Sequence, residues 1–434
     1  MWNGAAAPGV RPSADIQTIA SMPDLPPRDP WPDATLPLLR DPYRYASRRA
    51  RALGAEAFRT RLTGRRAIVL TGVPAAEYFY ARAPATRDGA TPARIARVLF
   101  GLDGIQALDG VPHAARKAMW LSLMDKPAEA ALVARVEAEW RGRVPAWRGG
   151  IDLFEETSII LGRAVCAWAG IDGGAEPGAR LRGLFLRAGN VGPSHLRGRI
   201  ERARAEAWAR DWIRSVRHAP GAHDPRAPAV RIALWERRRG GPLPLETATD
   251  DLLSLLRPVV AVAVFVVFLA HALAIHPEVR ARAAISGADG RAERHRLVQE
   301  VRRLYPFFPM VGAITTDTSE FGGFRIPEGV RLILDIHGTN RDPRAWEVPD
   351  AFRPDRFDGR EVGPYEMIPQ GGGLHARTHR CAGEWATIAL MELFADILTR
   401  RSDWTVEGRL RDPDMRAIPA LPKGGLRLSG LRLR

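Results

Sequence analysis

The chain reads as mainly α with a small β part, and three features of its text predict this. Apolar residues recur three and four apart through most of the region after Leu38. Strand-like runs are scarce, and from Val259 to Ala270 no side chain is polar, as in a helix buried all round. The 434 residues are 46% hydrophobic and 26% charged, which is average for globular proteins and excludes wholesale disorder or a fibrous repeat. With only Cys166 and Cys381, no disulfide framework is available and a reducing compartment, the cytoplasm, is expected.

Residues 1–33 are rich in Pro, Ala, Gly and Asp and lack periodicity, so they should form a poorly ordered extension. They hold no apolar stretch flanked by basic residues, so they do not read as a secretory signal. Residues 34–434 read as one domain. Helices are expected at Arg94 to Phe100, Val111 to Met124, Pro127 to Arg141, Leu153 to Ala169 and Leu196 to Val216. Pro and Gly break the stretch from His218 to Thr247, leaving loops with a short element at Val230 to Trp235. Strands are expected at Ala67 to Leu70, Gly323 to Ile326 and Val330 to Leu334.

The segment Leu252 to Leu273 is long enough to cross a bilayer, which takes about 20 apolar residues. Arg257, Pro258 and His271 interrupt it, and an arginine inside a span costs at least ~2.5–3.5 kcal/mol on insertion scales. The central helix of a soluble core is therefore favoured over an integral span. The formal charge is +15, but lysine occurs only at Lys117, Lys126 and Lys423 and the arginines are scattered. No zinc-finger spacing or stacking-aromatic motif accompanies them, so no nucleic-acid partner is expected. An anionic surface is the alternative.

Three stretches carry chemistry. In Gln370-Gly371-Gly372-Gly373-Leu374-His375-Ala376-Arg377-Thr378-His379-Arg380-Cys381-Ala382-Gly383-Glu384 a glycine-rich turn delivers one cysteine to the start of an apolar helix, Trp385 to Leu398. Free N–H groups and the helix dipole there favour thiolate, His379 and Arg380 add positive charge, and such a thiolate suits a haem iron. A buried structural cysteine, or a zinc site from His375, His379 and Cys381 that lacks a fourth ligand nearby, are the alternatives. Glu300 and Arg303 share a helix face within His295 to Leu304, and Phe352-Arg353-Pro354-Asp355-Arg356-Phe357 places Arg356 in an irregular segment beyond. Glu300 bracketed by Arg303 and Arg356 could lock that segment. As a plain surface ion pair it would contribute little.

Glu-x-x-Arg, then Pro-Asp-Arg-Phe, then a glycine-rich loop ending in Cys-x-Gly resembles the cytochromes P450, over residues of about 40 to 430. The resemblance implies the P450 fold as a single haem-thiolate domain, haem b held between the central helix and the cysteine loop, Cys381 as axial iron ligand and Glu300, Arg303 and Arg356 as a structural triad. Two departures stand out. Leu374 stands seven residues before the cysteine where the family carries Phe, and from Pro258 to Ala270 there is no Ser, Thr, Asp or Glu to supply the family's acid–alcohol proton relay. Arg257-Pro258 stands in its place. That pair, the Gln370 to Glu384 loop, Leu99-Phe100-Gly101, Ile105-Gln106, Asp109-Gly110 and Leu421-Pro422-Lys423-Gly424-Gly425 are similar to the bacterial fatty-acid peroxygenase branch.

This closer resemblance implies hydroxylation of long-chain fatty acids at the α or β carbon with hydrogen peroxide as co-substrate and no redox partner. Arg257 would hold the substrate carboxylate, which acts as general acid and base, with Pro258 where an alcohol would sit. Gln106 lies beside the haem in that branch, where histidine favours decarboxylation, so glutamine implies hydroxylation with decarboxylation minor. Phe100, Leu99, Phe307 and Met310 are candidate substrate contacts. His113, Arg116 and Lys117 are candidates for the haem propionates, with His379, Gly371 and Gly372 from the cysteine loop. The alternatives are plain core packing and a solvated helix face for these residues, and for the whole chain a reductase-dependent monooxygenase or a non-catalytic haem or metal binder. Cys166 reads as core.

Overall fold

The structure, a computed structural model, describes residues 24–171, 181–184, 193–237 and 240–434. Its longer helices are α1 (Ala93–Leu99), α2 (Gly110–Leu123), α3 (Lys126–Arg143), α4 (Leu153–Ala169), α5 (Pro193–His218), α6 (Leu245–Ile275), α7 (Gly287–Leu304) and α8 (Glu384–Asp396). The strands are β1 (Ala57–Leu62), β2 (Arg65–Leu70), β3 (Ala85–Thr86), β4 (Ile151–Asp152), β5 (Met310–Thr315), β6 (Ser319–Phe321), β7 (Phe324–Ile326), β8 (Arg331–Asp335), β9 (Ser402–Val406) and β10 (Arg427–Leu433). The mainly helical expectation holds, and the helices read from periodicity lie within a few residues of their expected bounds.

The 31-residue α6 is the axis of the molecule, about 46 Å long at 1.5 Å per residue. It has the length and hydropathy of a membrane span, yet 83% of its most apolar window is buried within the protein. Helices α4, α5, α7 and α8 pack around it. Every residue from Ala248 to Leu273 is buried except Pro258. That proline has no N–H to give the carbonyl of Ser254, and it presents its ring where the helix faces open space.

The five-stranded sheet runs β1-β2-β8-β5-β3. All pairings are antiparallel except β2 with β8, where Ala67 to Leu70 match Arg331 to Leu334. The two strands foreseen in this sheet are its buried centre. Strands β1, β3, β5 and β6, and the small β4-β10-β9 sheet, were not foreseen: exposed arginines interrupt β1 and β10, and β3 and β4 are only two residues long.

One expectation needs correcting. Residues 1–23 lie outside the described residues, but 24–33 are not a loose extension. Asp29 N donates to Arg59 O and Arg59 N to Pro27 O, both at 2.9 Å, beside β1. The Asp29 carboxylate, 1% exposed, accepts from Tyr45 Oη and lies 3.2 Å from Arg49 Nε. Backbone pairing and a buried ion pair outweigh the disorder that composition suggests.

Candidate active site

The cysteine loop doubles back on itself before α8. Cys381 N donates to Gln370 O at 2.9 Å, and Thr378 Oγ1 to Gly372 O at 2.7 Å. Gly371 has φ +95°, and a Cβ there would lie 3.0 Å from Arg380 Cα; one on Gly372 would lie 2.7 Å from Ile368 and 2.9 Å from Tyr80. Both glycines are explained by close backbone and ring packing. These contacts fix the shape of the loop that carries Cys381.

Helix α8 begins at Glu384, so Cys381 precedes it by three residues. The thiol is held up from its ordinary value by burial, against the Gly383 N–H and the charges of Lys117 and Arg302 that favour thiolate. The expected thiolate bias is therefore outweighed by desolvation, and a metal cation at sulfur is what would reverse it. His375 Nε2 lies 3.0 Å from Cys381 O and His379 Nε2 3.3 Å from Asp109 Oδ1. Among the described residues no three His, Cys, Asp or Glu side chains converge as metal ligands, so the zinc alternative finds no site.

Behind the loop, two sets of ion pairs brace it. Arg302, buried, donates to Glu384 and to Gln370 Oε1 at 3.2 and 3.3 Å, and Arg380 also bonds Glu384. Glu300, fully buried, accepts from Arg303 at 2.7 and 2.8 Å, from Arg356 Nε at 3.2 Å and from Arg353 N at 2.8 Å. The structure thus brings Glu300, Arg303 and Arg356 together, and Arg303 goes on to the carbonyls of Asn340 and Pro349.

On one side of the loop lies a cluster of basic side chains around Asp109. Lys117 Nζ donates to Arg380 O, and the His113 and His379 rings lie 4.1 Å apart. Burial, then the neighbouring His379 and Lys117, push His113 down to about 4. Arg87, buried against the Phe79 ring at 4.5 Å, donates to Gly312 O and, through its backbone N–H, to Asp109. Asp109 is the anion of this group, held far below the carboxylate range by His379, Thr86 and the Arg87 N–H in spite of burial. Arg116 is not in this cluster. It faces α6, where Nη1 bonds Asp251 at 2.6 Å, because adjacent residues on a helix point about 100° apart and Lys117 is the one that turns to the cysteine loop.

Across α6, Arg257 is buried and makes no ion pair or hydrogen bond among the described residues; its Nε is an unpartnered buried donor. Burial, and secondarily Arg202, push it down to about 9, so it stays cationic at neutral pH. Its Cζ lies 6.0 Å from the Phe100 ring, and Leu99 ends α1 beside Phe100. Gln106, in the short helix Ile105–Ala107, has an unpartnered buried Oε1. Phe307 stacks on Phe265 of α6 at 4.3 Å and belongs to the central core. Met310, by contrast, packs with Tyr45, Phe58 and Val69 under the sheet, a separate cluster from Arg257.

The residues present fit an iron porphyrin. A lone buried thiol in a braced loop offers one axial donor, and orphaned polar atoms of Arg257 and Gln106 stand across α6 with the exposed Pro258. Lys117 and Arg87 supply positive charge, and the neutral His113 and His379 rings supply N–H donors, for two propionate carboxylates. Arg87 and Arg302 were missed by sequence reasoning. Arg302 adjoins Arg303 in the Glu-x-x-Arg helix, and the next residue on a helix points about 100° away, so its separate partner was a readable signal. Arg87 follows no motif; only the fold brings it to Asp109.

A family model described as Cytochrome P450 matches residues 295–414. Cytochrome P450 71D181 of Origanum vulgare is 32% identical over 133 residues, 29% of this chain and 26% of that protein. Cytochrome P450 71D94 of Mentha gracilis is 33% identical over 123 residues, 27% and 24% of the two chains. The match thus spans about a quarter of the length of these curated relatives. Among solved structures, cytochrome P450SP alpha (CYP152B1) in complex with (R)-ibuprofen has a TM-score of 0.89 and 40% identity, covering 93% of this chain and all of that one. Cytochrome P450EX alpha (CYP152N1) with myristic acid has a TM-score of 0.90 and 34% identity, over 95% of this chain and 100% of that chain. A cytochrome P450 OleT variant in complex with arachidonic acid has a TM-score of 0.89 and 29% identity, over 94% and 99%. Covered over more than nine-tenths of its length by relatives of this likeness, the chain belongs to the cytochrome P450 family, and within it to the CYP152 fatty-acid peroxygenases that its sequence resembles.

Proposed function

We propose that this enzyme hydroxylates long-chain fatty acids at the α or β carbon with hydrogen peroxide, in the cytoplasm and without a redox partner. One C–H bond and the O–O bond of peroxide are broken, and the alcohol and water are formed. The observation that carries this is Arg257, a buried guanidinium with no anionic partner among the described residues. A buried cation demands a counter-charge, and a fatty acid's carboxylate supplies one at the end of an otherwise apolar ligand. The relatives solved with myristic and arachidonic acid support the same class of ligand.

Haem b, when bound through Cys381 with its propionates at His113, Lys117, His379 and Arg87, supplies the iron at which peroxide is cleaved and the substrate oxidised. Arg257 binds the carboxylate, each charge-assisted hydrogen bond contributing about 1.5–3 kcal/mol. So fixed, the carboxylate serves as the base that takes a proton from peroxide and the acid that returns it, replacing the side-chain relay that α6 lacks between Pro258 and Ala270. Anchoring that end also limits which carbons approach the reacting centre to the second and third. Phe100 closes over the guanidinium, and Phe307 holds α6 in place through Phe265. Gln106, neutral and unpartnered, favours hydroxylation over decarboxylation.

The test is mass spectrometry of products from a fatty-acid panel given peroxide and no reductant. 2-Hydroxy and 3-hydroxy acids should dominate, with alkenes minor. Absence of product with peroxide, and its appearance only with a reductase system, would replace this reading by a reductase-dependent monooxygenase.

A further inference from the structure

Between Phe100 and Gln106 the chain is tied to the rest of the molecule by an ion pair that no part of the proposed reaction uses. Arg202 of α5, 2% exposed, donates through Nη2 to Asp250 Oδ1 on α6 and through Nε to Glu206 at 2.7 Å. The other oxygen of Asp250 accepts the backbone N–H of Asp103 at 3.0 Å. Gly101, at φ +82°, lies so close that a Cβ would stand 1.9 Å from Asp250 Oδ1. One carboxylate therefore joins α5, α6 and the 100–104 loop.

The loop's two ends matter. Phe100 lies against Arg257, and Gln106 follows Gly104, whose own Cβ would stand 2.6 Å from Gln106 Oε1. Asp250 precedes Arg257 by seven residues on one helix, two turns, so both lie on the same face. Burial pushes the Asp250 carboxyl up to about 6, the mark of a charge kept indoors for its partners and not for solvent.

We propose that Arg202 and Asp250 form a latch that holds the 100–104 loop over the Arg257 guanidinium, and thereby fixes where the fatty-acid head lies and which carbon is hydroxylated. This rests on the reading of Arg257 as carboxylate anchor. Both are positioning residues. Without the latch, Phe100 is free to leave the guanidinium, and the anchored end gains freedom that geometry now denies it.

Asp250→Ala alone would take one of two carboxylates from the buried Arg202 and leave it paired with Glu206, so the informative variant is Arg202→Met with Asp250→Leu. Replacing both members of a buried pair with apolar residues of similar volume is often neutral for stability. The double variant should keep the wild-type melting temperature to within a few degrees. Its calorimetric Kd for myristate should rise about tenfold, and hydroxylation should spread beyond the second and third carbons. Asp250→Asn, which keeps an acceptor for Asp103 N–H, should restore most of the wild-type regiochemistry. A double variant with wild-type affinity and product pattern overturns the latch, as does a loss of stability alone with the pattern unchanged. A wild-type chain that neither binds myristate nor hydroxylates it sinks the anchor reading and the latch with it.

Discussion

Arg257 has its burial cost unrelieved by any partner among the described residues, and that gives opposite expectations for stability and for activity. Leaving a buried polar group unsatisfied costs about 1–3 kcal/mol, and more for a charge. Arg257→Met, of similar reach but neutral, should therefore raise the melting temperature of the substrate-free protein. Added myristate should raise the melting temperature of the wild type and leave the variant unmoved, since only a ligand that binds the native state shifts it. In the same variant kcat/KM with myristate and peroxide should fall at least about tenfold, the lower bound for one lost charge-assisted hydrogen bond at about 1.4 kcal/mol per tenfold. Equal kcat/KM in the two proteins would remove the carboxylate from the proton transfer.

At the scale of elements, the cysteine loop depends on anchors outside it. Glu300 holds α7 to the 353–356 segment through Arg303, Arg356 and the Arg353 N–H, while Arg302, one residue away, holds the same helix to Glu384 at the start of α8. Removing one member of a buried ion pair costs about 3–5 kcal/mol because the other charge is left uncompensated. Glu300→Ala should lose that much in urea denaturation and yield little haem-loaded protein. A variant that denatures with the wild-type midpoint would make the triad dispensable. Arg353→Ala, whose side chain is half exposed and pairs only with the exposed Glu347, is the matched control and should lie within ~0.5 kcal/mol.

On the scale of the whole molecule, four hydrophobic clusters among the described residues, around α6, inside the sheet, under its N-terminal edge and around Trp346, are accompanied by buried polar groups. His337 is one. It accepts from Arg341 Nη1 at 2.9 Å and meets the Tyr43 ring edge-on at 5.2 Å. Burial, then Arg341, holds it well below its ordinary 6.5. The unfolded chain takes up a proton there below pH 6.5 and the folded chain does not, so this histidine's contribution is complete above pH 6.5 and declines as the pH falls. His337→Gln should be less stable than wild type at pH 8, and the deficit should narrow below pH 6.5 by up to about 1.4 kcal/mol per unit. A deficit constant from pH 8 to pH 5 would mean that the imidazole titrates normally in the folded state.

The sequence by itself determined the elements whose signal is local. The period of α2 to α5, the unbroken apolar text of α6 and the glycine turn before Cys381 are each set by residues within a few turns of one another. So are the motif residues Glu300, Arg303, Arg356 and Arg257-Pro258, which carried the family resemblance. Only the tertiary structure decided matters that join distant segments. It set Asp29 against β1 although its neighbours look disordered, turned Arg116 to Asp251 and left His113 and Lys117 at the loop, and sent Met310 under the sheet. It also brought Arg87 to Asp109 and Arg202 to Asp250, 48 residues apart. A charge's partner in a folded chain is chosen by which surfaces are buried together, and spacing along the chain carries no record of that choice.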